Sequence, residues 1–571
     1  MTKDLEKRPD TSILLSGQAG QGIQTIQKLL MHALRKEGYH VFATKEVMSR
    51  IRGGVNTTQL RVGAETVNCP CSDVDIFVPL TAETTKHLDQ RLTDETLIVG
   101  EKETFDHERM VDIPFVKIAE EAGNKLYANS AATGFLAGIF AIQNTALEEA
   151  IREHFSEKSE EVVAGNIDAA HKGYDLVKEK NVKLPKSAPQ PPHSESELLI
   201  NGGQAVALGA LAGNCNVTCS YPMSPSTAVL TNMAEYSQTA DVLVEQTEDE
   251  IAAINMALGV WYAGGRALVT TSGGGFSLMC EGLSLAGMIE TPLVLHLAQR
   301  PGPATGLPTR TEQGDLNLAL YGGHGEFPRI LLAPGDLDEG FQLTQKAFTL
   351  ADKYQVPVII LTDQYFIDSF YNTPMFDLEN VKNQSYVVGS DNDYKRFALT
   401  DSGISPRSIP GKGTGLVNVD SDEHDEKGYI TEDLAETRPQ MNHKRTVLKA
   451  SAVQEEVQPP TYIGPSDASY IIVGWGSTKK ILLEAVERIG RSDLAVLHFS
   501  QVYPLPSNLD DYLGDDANII TAEQNSSGQF TKLLEQHTGK TVGNKILKSN
   551  GLPFFSDELA NELNTLLKEE E

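Results

Sequence analysis

Short apolar segments alternate with helical ones through the middle of the chain, and this alternation is the feature that most constrains its fold. From Asn201 onward the sequence is rich in Gly and Ala, and most of its strand-like segments are separated by a helix. The predicted strands are 216–220, 242–245, 267–271, 293–297, 330–332 and 358–361. Such a rhythm favours right-handed crossovers and a parallel, doubly wound sheet. We therefore predict an α/β domain over residues 197–385.

Further α/β segments flank this central domain. The N-terminal one opens with a strand, a glycine-rich loop and a helix from Ile23 to about Lys36. The predicted boundaries are 1–182 for an N-terminal α/β domain, 183–196 for a proline-rich extended linker, 386–464 for an irregular polar connection and 465–571 for a small C-terminal α/β domain.

Charge and cysteine content narrow the classes of partner and cofactor. The chain has 78 acidic and 48 basic residues and a formal net charge of −30 at pH 7, which argues against binding to nucleic acid or to an anionic membrane. Its 5 cysteines (Cys69, Cys71, Cys215, Cys219 and Cys280) do not supply the four ligands of a zinc or iron–sulfur site. We predict no metal site here. Without a signal peptide or a membrane-length apolar run, the sequence predicts a cytoplasmic protein.

Loops at the ends of successive predicted strands carry the residues of a small-molecule site. Ser224 lies in a segment whose two prolines hold the backbone extended. Glu248 and Glu250 belong to an acidic cluster that opens an Ala-rich helix, and Arg300 lies in a Pro/Gly-rich loop. In a doubly wound sheet such loops meet beyond the carboxyl ends of the strands, where ligands bind. A hydroxyl, a carboxylate and a guanidinium together predict an active site.

These residues also have purely structural interpretations. Glu250 either is stabilised by the dipole of the helix that it opens or reaches a heteroaromatic nitrogen of a bound cofactor. Arg300 is either a salt-bridged loop residue or a fixed fork for a carboxylate. The glycines that follow Ser272, beginning with Gly273 and Gly274, let a flat ring approach the backbone closely. The sequence has no Ser-His-Asp spacing, Walker A loop or HExxH motif, so hydrolase and phosphotransferase functions have no support.

The loop Gly17–Gly22 raises a nucleotide-binding alternative. Its glycines run G-x-x-G-x-G rather than the G-x-G-x-x-G of dinucleotide sites. Thr44 and Lys45, rather than an acidic residue, follow the second strand. A NAD-linked dehydrogenase is therefore an alternative that the spacing disfavours.

Together the motifs resemble those of the 2-oxoacid:ferredoxin oxidoreductases, in the form in which γ and α parts are fused into one large subunit. Tyr221–Thr227 is similar to the family's Tyr-Pro-Ile-Thr-Pro-Ser-Ser motif, with Ser224 where a threonine usually stands. The Glu-x-Glu-Ile-Ala-Ala stretch ending at Ala253, the Thr-Ser-Gly-Gly-Gly-Phe-Ser run ending at Ser277 and the Gln-Arg-x-Gly-Pro-x-Thr-Gly loop from Gln299 also match in order and spacing. The resemblance covers nearly the whole chain.

This resemblance implies oxidative decarboxylation of a 2-oxoacid with coenzyme A, giving acyl-CoA, CO2 and reduced ferredoxin. The reaction is reversible in principle and so is also a route of CO2 fixation. The implied cofactor is thiamine diphosphate, held between this chain and a β subunit that carries Mg2+ and a [4Fe–4S] cluster, in an (αβ)2 assembly. The implied fold is a γ-like α/β domain, a pyrimidine-type thiamine-diphosphate-binding domain and a small transketolase-C-like domain.

The resemblance also implies residue roles. Glu250, with Glu248 as the alternative, would hydrogen-bond the aminopyrimidine ring and favour the tautomer that removes the thiazolium C2 proton. The predicted catalytic residues are Glu250, Ser224 and Arg300. The predicted cofactor-binding residues are Glu250, Glu248, Pro225, Ser272, Gly273 and Gly274. The predicted contacts of the substrate or of coenzyme A are Ser224, Arg300, Thr309, Arg52, Lys45 and Lys125.

The substrate that we expect first is 2-oxoglutarate, because fused members of this family often use it. Arg52, Arg310 and His324 are candidates for binding its second carboxylate. Serine at position 224 in place of threonine removes a methyl group and would widen the pocket. Pyruvate or broad 2-oxoacid use is the alternative within the family, and a non-catalytic scaffold subunit is the alternative outside this chemistry.

Overall fold

The computed structural model of the protein describes residues 9–49, 54–183, 197–514 and 517–569. Three β-sheets run through these ranges, and helices pack against each of them. The predicted α/β class is confirmed. Within the described ranges, no helix has both the length and the apolar character needed to cross a membrane.

The N-terminal part builds most of a mixed sheet and the helices that cover it. Its strands are β1 (Thr11–Gly17), β2 (His40–Glu46), β3 (Asn56–Gly63), β4 (Ile76–Pro79), β5 (Leu97–Gly100) and β6 (Val111–Asp112). Its helices are α1 (Ile23–Lys36), α2 (Lys86–Asp89), α3 (Phe115–Glu121), α4 (Ala128–Ile139), α5 (Asn144–His154) and α6 (Glu160–Glu179), with a 3-10 turn at Lys125–Tyr127.

The central part contains the predicted strand–helix alternation. Its strands are β7 (Glu197–Asn201), β8 (Val217–Ser220), β9 (Leu243–Gln246), β10 (Ala267–Thr271), β11 (Leu293–Gln299), β12 (Ile330–Leu332), β13 (Pro357–Asp363) and β14 (Phe370–Pro374). Its helices are α7 (Gly202–Ala212), α8 (Thr227–Tyr236), α9 (Glu250–Tyr262), α10 (Gly273–Leu278), α11 (Cys280–Met288), α12 (Leu316–Tyr321), α13 (Leu337–Tyr354) and α14 (Gln364–Asp368).

The last part forms a smaller sheet with its own helices. Its strands are β15 (Thr461–Ile463), β16 (Tyr470–Trp475), β17 (Leu494–Phe499), β18 (Gln501–Tyr503), β19 (Asn518–Glu523) and β20 (Asn544–Leu547). The helices of this part, with the two that precede it, are α15 (Thr437–His443), α16 (Lys449–Gln454), α17 (Lys479–Ile489), α18 (Asp510–Leu513), α19 (Gln529–Thr538) and α20 (Ser556–Glu569). A π-helical turn spans Lys444–Leu448, and a 3-10 turn spans Gly476–Thr478.

The central sheet has the order β18-β12-β13-β11-β10-β8-β9. Its strands pair in parallel, except that β18 pairs antiparallel with β12. Apolar side chains of the strands are buried beneath the flanking helices, as the doubly wound prediction requires. The carboxyl ends of the parallel strands consequently lie along one edge.

The N-terminal sheet borrows strands from the central part. Its order is β6-β5-β4-β1-β3-β2-β14-β7, and β14 joins it by pairing antiparallel with β2. The prediction missed β3, whose polar sequence Asn-Thr-Thr-Gln-Leu-Arg-Val-Gly is buried along its whole length. Its side chains find polar partners there: Gln59 donates to Ser12 and Arg61 donates to Asp10.

The connection predicted over 386–464 is not irregular throughout. Residues 437–454 form one helical stretch, from α15 through the π-helical turn to α16. The prediction overlooked this helix because part of its buried face is cationic: Lys444 and Lys449 are both buried and both pair with Glu290. The exact domain boundaries stay a prediction, and the predicted linker lies outside the described residues apart from residue 183.

A buried ionic cluster joins the N-terminal and C-terminal parts. Arg61 lies 2.8 Å from Asp10 and 3.0 Å from Glu484, and Glu484 also pairs with Arg488 at 2.9 Å. Cys69 donates to Glu484 from 3.1 Å, and burial together with that carboxylate raises the pKa of the thiol well above its usual value. The cluster fixes the first sheet against α17.

Candidate active site at the edge of the central sheet

The predicted site loops follow neighbouring strands of the central sheet. These strands end at Ser220 (β8), Gln246 (β9), Thr271 (β10) and Gln299 (β11). Their parallel pairing brings the loops to the same edge. The structure therefore gathers the hydroxyl, carboxylate and guanidinium loops as the sequence predicts, at the position where open α/β sheets bind ligands.

Glu250 is the first residue of α9 and points into the protein. The cap of the helix is Asp249, whose side chain accepts the backbone N–H of Ala252 at 2.7 Å. Asp249 therefore caps α9, and the Glu250 carboxylate does not serve as the cap. Glu250 is only 4% exposed, and its Oε1 is buried with no hydrogen-bond partner among the described residues.

Three glycines, Gly273–Gly275, form the first turn of α10, and this glycine turn lies against the Glu250 carboxylate. A Cβ added to Gly275 would come within 2.7 Å of Glu250 Cγ and 2.8 Å of Oε1, so only glycine leaves room for the acid. The hydroxyl of Ser272, at the start of the turn, is buried with no hydrogen-bond partner in the described part of the chain. The glycine turn and the Glu250 side chain therefore pack closely. Ser272 Oγ and Glu250 Oε1 are buried polar atoms there that have no hydrogen-bond partner among the described residues.

Ser224 and Arg300 are brought together from loops that are far apart in the sequence. The Arg300 guanidinium donates to the backbone carbonyl of Ser224 at 2.6 Å, while the serine side chain is exposed. Pro225, the next residue, is buried. Burial lowers the pKa of Arg300, and Asp315 opposes that shift. The contact holds the Ser224 loop beside a guanidinium that retains further donors for an anion.

Asp315 is a carboxylate of this site that the sequence analysis missed. A Cβ on Gly273 would lie 2.5 Å from Asp315 Oδ2, and that oxygen is buried without a partner among the residues described. Its backbone N–H donates to Gln299 Oε1 at 3.0 Å. Burial, reinforced by Glu312, raises the pKa of the Asp315 carboxyl to about 6, although Arg300 opposes the shift. The only signal in the sequence was an acid in the loop that carries Arg300.

The C-terminal part holds the Asp315 loop in place. Gln313 Nε2 donates to the Trp475 carbonyl at 2.9 Å, and its Oε1 accepts the N–H of Gln524 at 3.0 Å. Gln529 donates to the Gly314 carbonyl at 2.8 Å. Backbone groups of Trp475 and Gln524 and the side-chain amide of Gln529, all in the small domain, therefore position a loop of the central domain.

Thr309 and Arg310 connect the site to the N-terminal part. The Thr309 hydroxyl donates to the backbone carbonyl of Val47, and Arg310 pairs with Glu46 at 2.5 Å. Burial alone would raise the pKa of Glu46, but His87 and Arg310 lower it to about 2. In the structure the Arg310 guanidinium is thus already paired with the Glu46 carboxylate.

The remaining predicted contacts lie at different places. Lys45 pairs with Asp368 at 2.7 Å and lines a cavity of about 710 Å³ between the N-terminal and central parts. Lys125 is exposed in the 3-10 turn, and Glu248 is exposed on the rim beside Asp249. His324 lines a different cavity, of about 280 Å³. Arg52 lies outside the described residues.

The site suits a flat, nitrogen-containing cofactor. Glu250 Oε1, buried and without a partner in the described part of the chain, is available to a ring nitrogen, and the glycine turn provides a surface that a ring can approach. Among the described residues, no group of three or more His, Cys, Asp or Glu is arranged to hold a metal ion.

Comparison with known proteins supports this interpretation. The family model described as "Pyruvate flavodoxin/ferredoxin oxidoreductase, thiamine diP-bdg" matches residues 208–444, and "Pyruvate ferredoxin/flavodoxin oxidoreductase" matches 12–176. The 2-oxoacid:ferredoxin oxidoreductase subunit alpha of Sulfolobus sp is 32% identical over 98% of this chain and 97% of its own length. This chain belongs to the 2-oxoacid:ferredoxin oxidoreductase alpha-subunit family. It is therefore a subunit of an oxidoreductase and contains a thiamine-diphosphate-binding domain.

Further relatives of this alpha subunit have more specific names. The structure of 2-oxoglutarate:ferredoxin oxidoreductase from Magnetococcus marinus with 2-oxoglutarate, coenzyme A and succinyl-CoA bound superposes with a TM-score of 0.91. The two sequences are 29% identical, and the match covers 98% of this chain and 100% of the Magnetococcus marinus chain. The 2-oxoglutarate synthase subunit KorA of Archaeoglobus fulgidus is 30% identical over 59% of this chain and 90% of its length. The predicted family and fold are confirmed.

Proposed function

We propose that this alpha subunit works in a coenzyme A-dependent 2-oxoglutarate:ferredoxin oxidoreductase, which converts 2-oxoglutarate to succinyl-CoA and CO2 and passes electrons to ferredoxin. The observation that carries the proposal is that two loops at one sheet edge carry Glu250, whose buried Oε1 has no partner among the described residues, and Arg300, which donates to the Ser224 carbonyl. The likeness to the Magnetococcus marinus enzyme supports 2-oxoglutarate over other 2-oxoacids.

Glu250 is our proposed partner for the aminopyrimidine ring of thiamine diphosphate. With the cofactor bound, the buried Oε1 would accept a hydrogen bond from a protonated ring nitrogen and so hold that proton in place. Glu248, the alternative, is exposed. Pro225, Ser272, Gly273 and Gly274 complete the proposed cofactor contacts. When bound, thiamine diphosphate supplies the electron sink for decarboxylation.

Arg300 and Ser224 are our proposed ligands for the reacting end of the 2-oxoacid. A guanidinium beside a hydroxyl holds a carboxylate in a fixed orientation, which lowers the barrier by proximity. Thr309 is proposed as a further contact. We propose Arg52 for the second carboxylate, because Arg310 is paired with Glu46 and because Val47, five residues before Arg52, contacts Thr309.

The partners are proposed from the same family membership. A β subunit would contribute the diphosphate site, Mg2+ and a [4Fe–4S] cluster, ferredoxin would accept the electrons, and two αβ pairs would assemble. Lys45 and Lys125 are proposed contacts of coenzyme A or of the substrate tail. Lys45 lines the large cavity between the N-terminal and central parts, which supports this role.

The test is an anaerobic assay of viologen reduction by the complex of this chain with its β subunit. We expect coenzyme A-dependent reduction with 2-oxoglutarate and little with pyruvate. Reduction with pyruvate but not with 2-oxoglutarate would support the proposed reaction and contradict the proposed substrate. Pyruvate is the second candidate because both matching family models are described by that name. No reduction with either acid, from a complex shown to contain thiamine diphosphate and cluster, would favour the scaffold alternative.

A further inference from the structure

We propose that Asp315 is a second ligand-facing carboxyl of the site and that it takes up a proton when an anionic 2-oxoacid binds beside Arg300. This inference rests on the proposed binding of a 2-oxoacid at Arg300. It does not depend on which 2-oxoacid is the substrate. The role belongs to a residue that tunes substrate binding rather than to one that carries out the decarboxylation.

Two carboxylates border the glycine turn Gly273–Gly275. Glu250 approaches the turn at Gly275, and Asp315 approaches it at Gly273. Glu250 Oε1 and Asp315 Oδ2 are the two carboxylate oxygens that lie buried without a hydrogen-bond partner in the described ranges. A buried carboxylate oxygen without a partner is costly, so two of them beside one turn indicate groups that meet a ligand or a proton.

Asp315 has little freedom to move away from the glycine turn. Gln299 accepts its backbone N–H, and the two preceding residues bond to the C-terminal part: Gln313 Nε2 donates to the Trp475 carbonyl, and the Gly314 carbonyl accepts from Gln529 Nε2. Asn317, two residues later, donates its N–H to Gln529 Oε1 at 2.8 Å. The negative charge of the Asp315 carboxylate must therefore be neutralised at this position, either by a proton or by a neighbouring cation.

Charges of both signs act on the Asp315 carboxyl. Arg300, on the loop after β11, attracts it, and Glu312, on its own loop, repels it. Glu250 borders the same glycine turn from α9, and the C-terminal part meets the two residues before Asp315 with uncharged groups, the backbone N–H of Gln524 and the side-chain amide of Gln529. An incoming carboxylate that binds Arg300 neutralises the favourable neighbour and adds a negative charge.

The direction of the linkage follows from these charges. Burial and Glu312 already raise the pKa of Asp315 to about 6, so the free site is mostly ionised at pH 7 to 8. The bound anion raises that pKa further, so binding draws a proton from solvent onto the carboxyl. When the ligand leaves, the proton returns to solvent. Affinity for the anion should consequently fall as pH rises above about 6.

Calorimetry of the complete αβ complex, loaded with thiamine diphosphate, tests this proton uptake. The probe is N-oxalylglycine, which has the carboxylates of 2-oxoglutarate and an unreactive amide carbonyl. Titrations at pH 7.5 in buffers of different ionisation enthalpy give the number of protons taken up. We expect about 0.5 to 1 proton for the wild type, essentially none for Asp315→Asn, and a retained uptake for the matched control Glu312→Gln.

A second measurement covers the case in which Asp315→Asn folds poorly. In the wild type, the KM for the 2-oxoacid that is turned over should rise at least about 10-fold between pH 6 and pH 8, and in Asp315→Asn it should be flat. Equal proton uptake in the wild type and Asp315→Asn, or a flat KM in the wild type, would overturn the proposal. Binding of oxamate, a pyruvate isostere, instead of N-oxalylglycine would revise the substrate, and the proton count would then be made with oxamate.

Discussion

Two buried glutamates in the central part of the chain have opposite surroundings. Glu290 is 1% exposed, and its two oxygens are bound by Lys444 at 2.6 Å and by Lys449. Glu250 is 4% exposed, and its Oε1 has no partner among the described residues. Burial would raise the pKa of Glu290, but Lys449 and Lys444 hold it far below its usual value.

The difference separates a structural charge from a ligand-facing one. The ion pairs of Glu290 attach the helical stretch 437–454 to the central domain, so this carboxylate is consumed by the fold. Glu250 and Asp315 lie close against Gly275 and Gly273, and each has one buried oxygen that finds no hydrogen-bond partner among the described residues. Burial by itself therefore does not distinguish the two kinds of carboxylate; the distinguishing observation is an oxygen that finds no partner among the described residues at the carboxyl edge of the sheet.

The largest effect that we expect is on turnover, in Glu250→Gln. The amide keeps the shape of the side chain but removes the proton-accepting oxygen, so kcat should fall about 10²- to 10⁴-fold while the free energy of unfolding changes little. Steady-state kinetics of the loaded complex measures the first and urea unfolding the second. Glu248→Gln, two residues earlier and exposed, is the control and should retain normal turnover. Normal turnover in Glu250→Gln would remove this residue from the mechanism.

Glu290→Gln should have the reverse effect. It leaves Lys444 and Lys449 buried without a countercharge, which should lower the free energy of unfolding by about 3–5 kcal/mol. Urea denaturation of the chain measures this loss. Glu426→Gln, which breaks a more exposed pair with Lys395, should cost no more than about 1 kcal/mol. Equal losses in the two variants would contradict the distinction drawn between buried and exposed pairs.

The Glu46–Arg310 pair predicts a pH dependence. Because the pKa of Glu46 is lowered to about 2, its contribution to stability is present above its unfolded pKa, near 4.5, and is lost as pH falls towards 2. At pH 6 the free energy of unfolding of the wild type should exceed that of Glu46→Gln by about 3 kcal/mol, and this difference should shrink as the pH falls. Unfolding midpoints across this pH range measure the gap. A constant gap would show that the ionised carboxylate is not its source.

Arg300→Ala should affect substrate binding most of all. The loss of a charged hydrogen bond costs about 1.5–3 kcal/mol, so the KM for the 2-oxoacid should rise roughly 10- to 100-fold while the KM for coenzyme A stays unchanged. Arg310→Ala is the matched control, since that guanidinium is paired with Glu46. If Arg310→Ala raised the same KM as strongly, Arg310 would be a substrate ligand despite this pair.

Local pattern was sufficient for much of the fold and for part of the site. The helix predicted from Ile23 to Lys36 has those bounds, and each predicted central strand overlaps an observed one. Ser224, Glu250 and Arg300 lie at one sheet edge as predicted, because parallel pairing alone brings successive strand ends together. Their individual roles stay predictions.

What the sequence determined by itself is the α/β rhythm, the three site loops and the family resemblance, because each depends on residues close together in the chain. Tertiary structure decided which charges are consumed and which remain free. Glu290 and Lys444 are 154 residues apart, and Gln313 and Gly314, the two residues before Asp315, bond to Gln524 and Gln529, which lie 211 and 215 residues further along the chain. Only folding creates such pairs, and so the sequence could not distinguish the structural Glu290 from Glu250 or show that Asp315 faces the site.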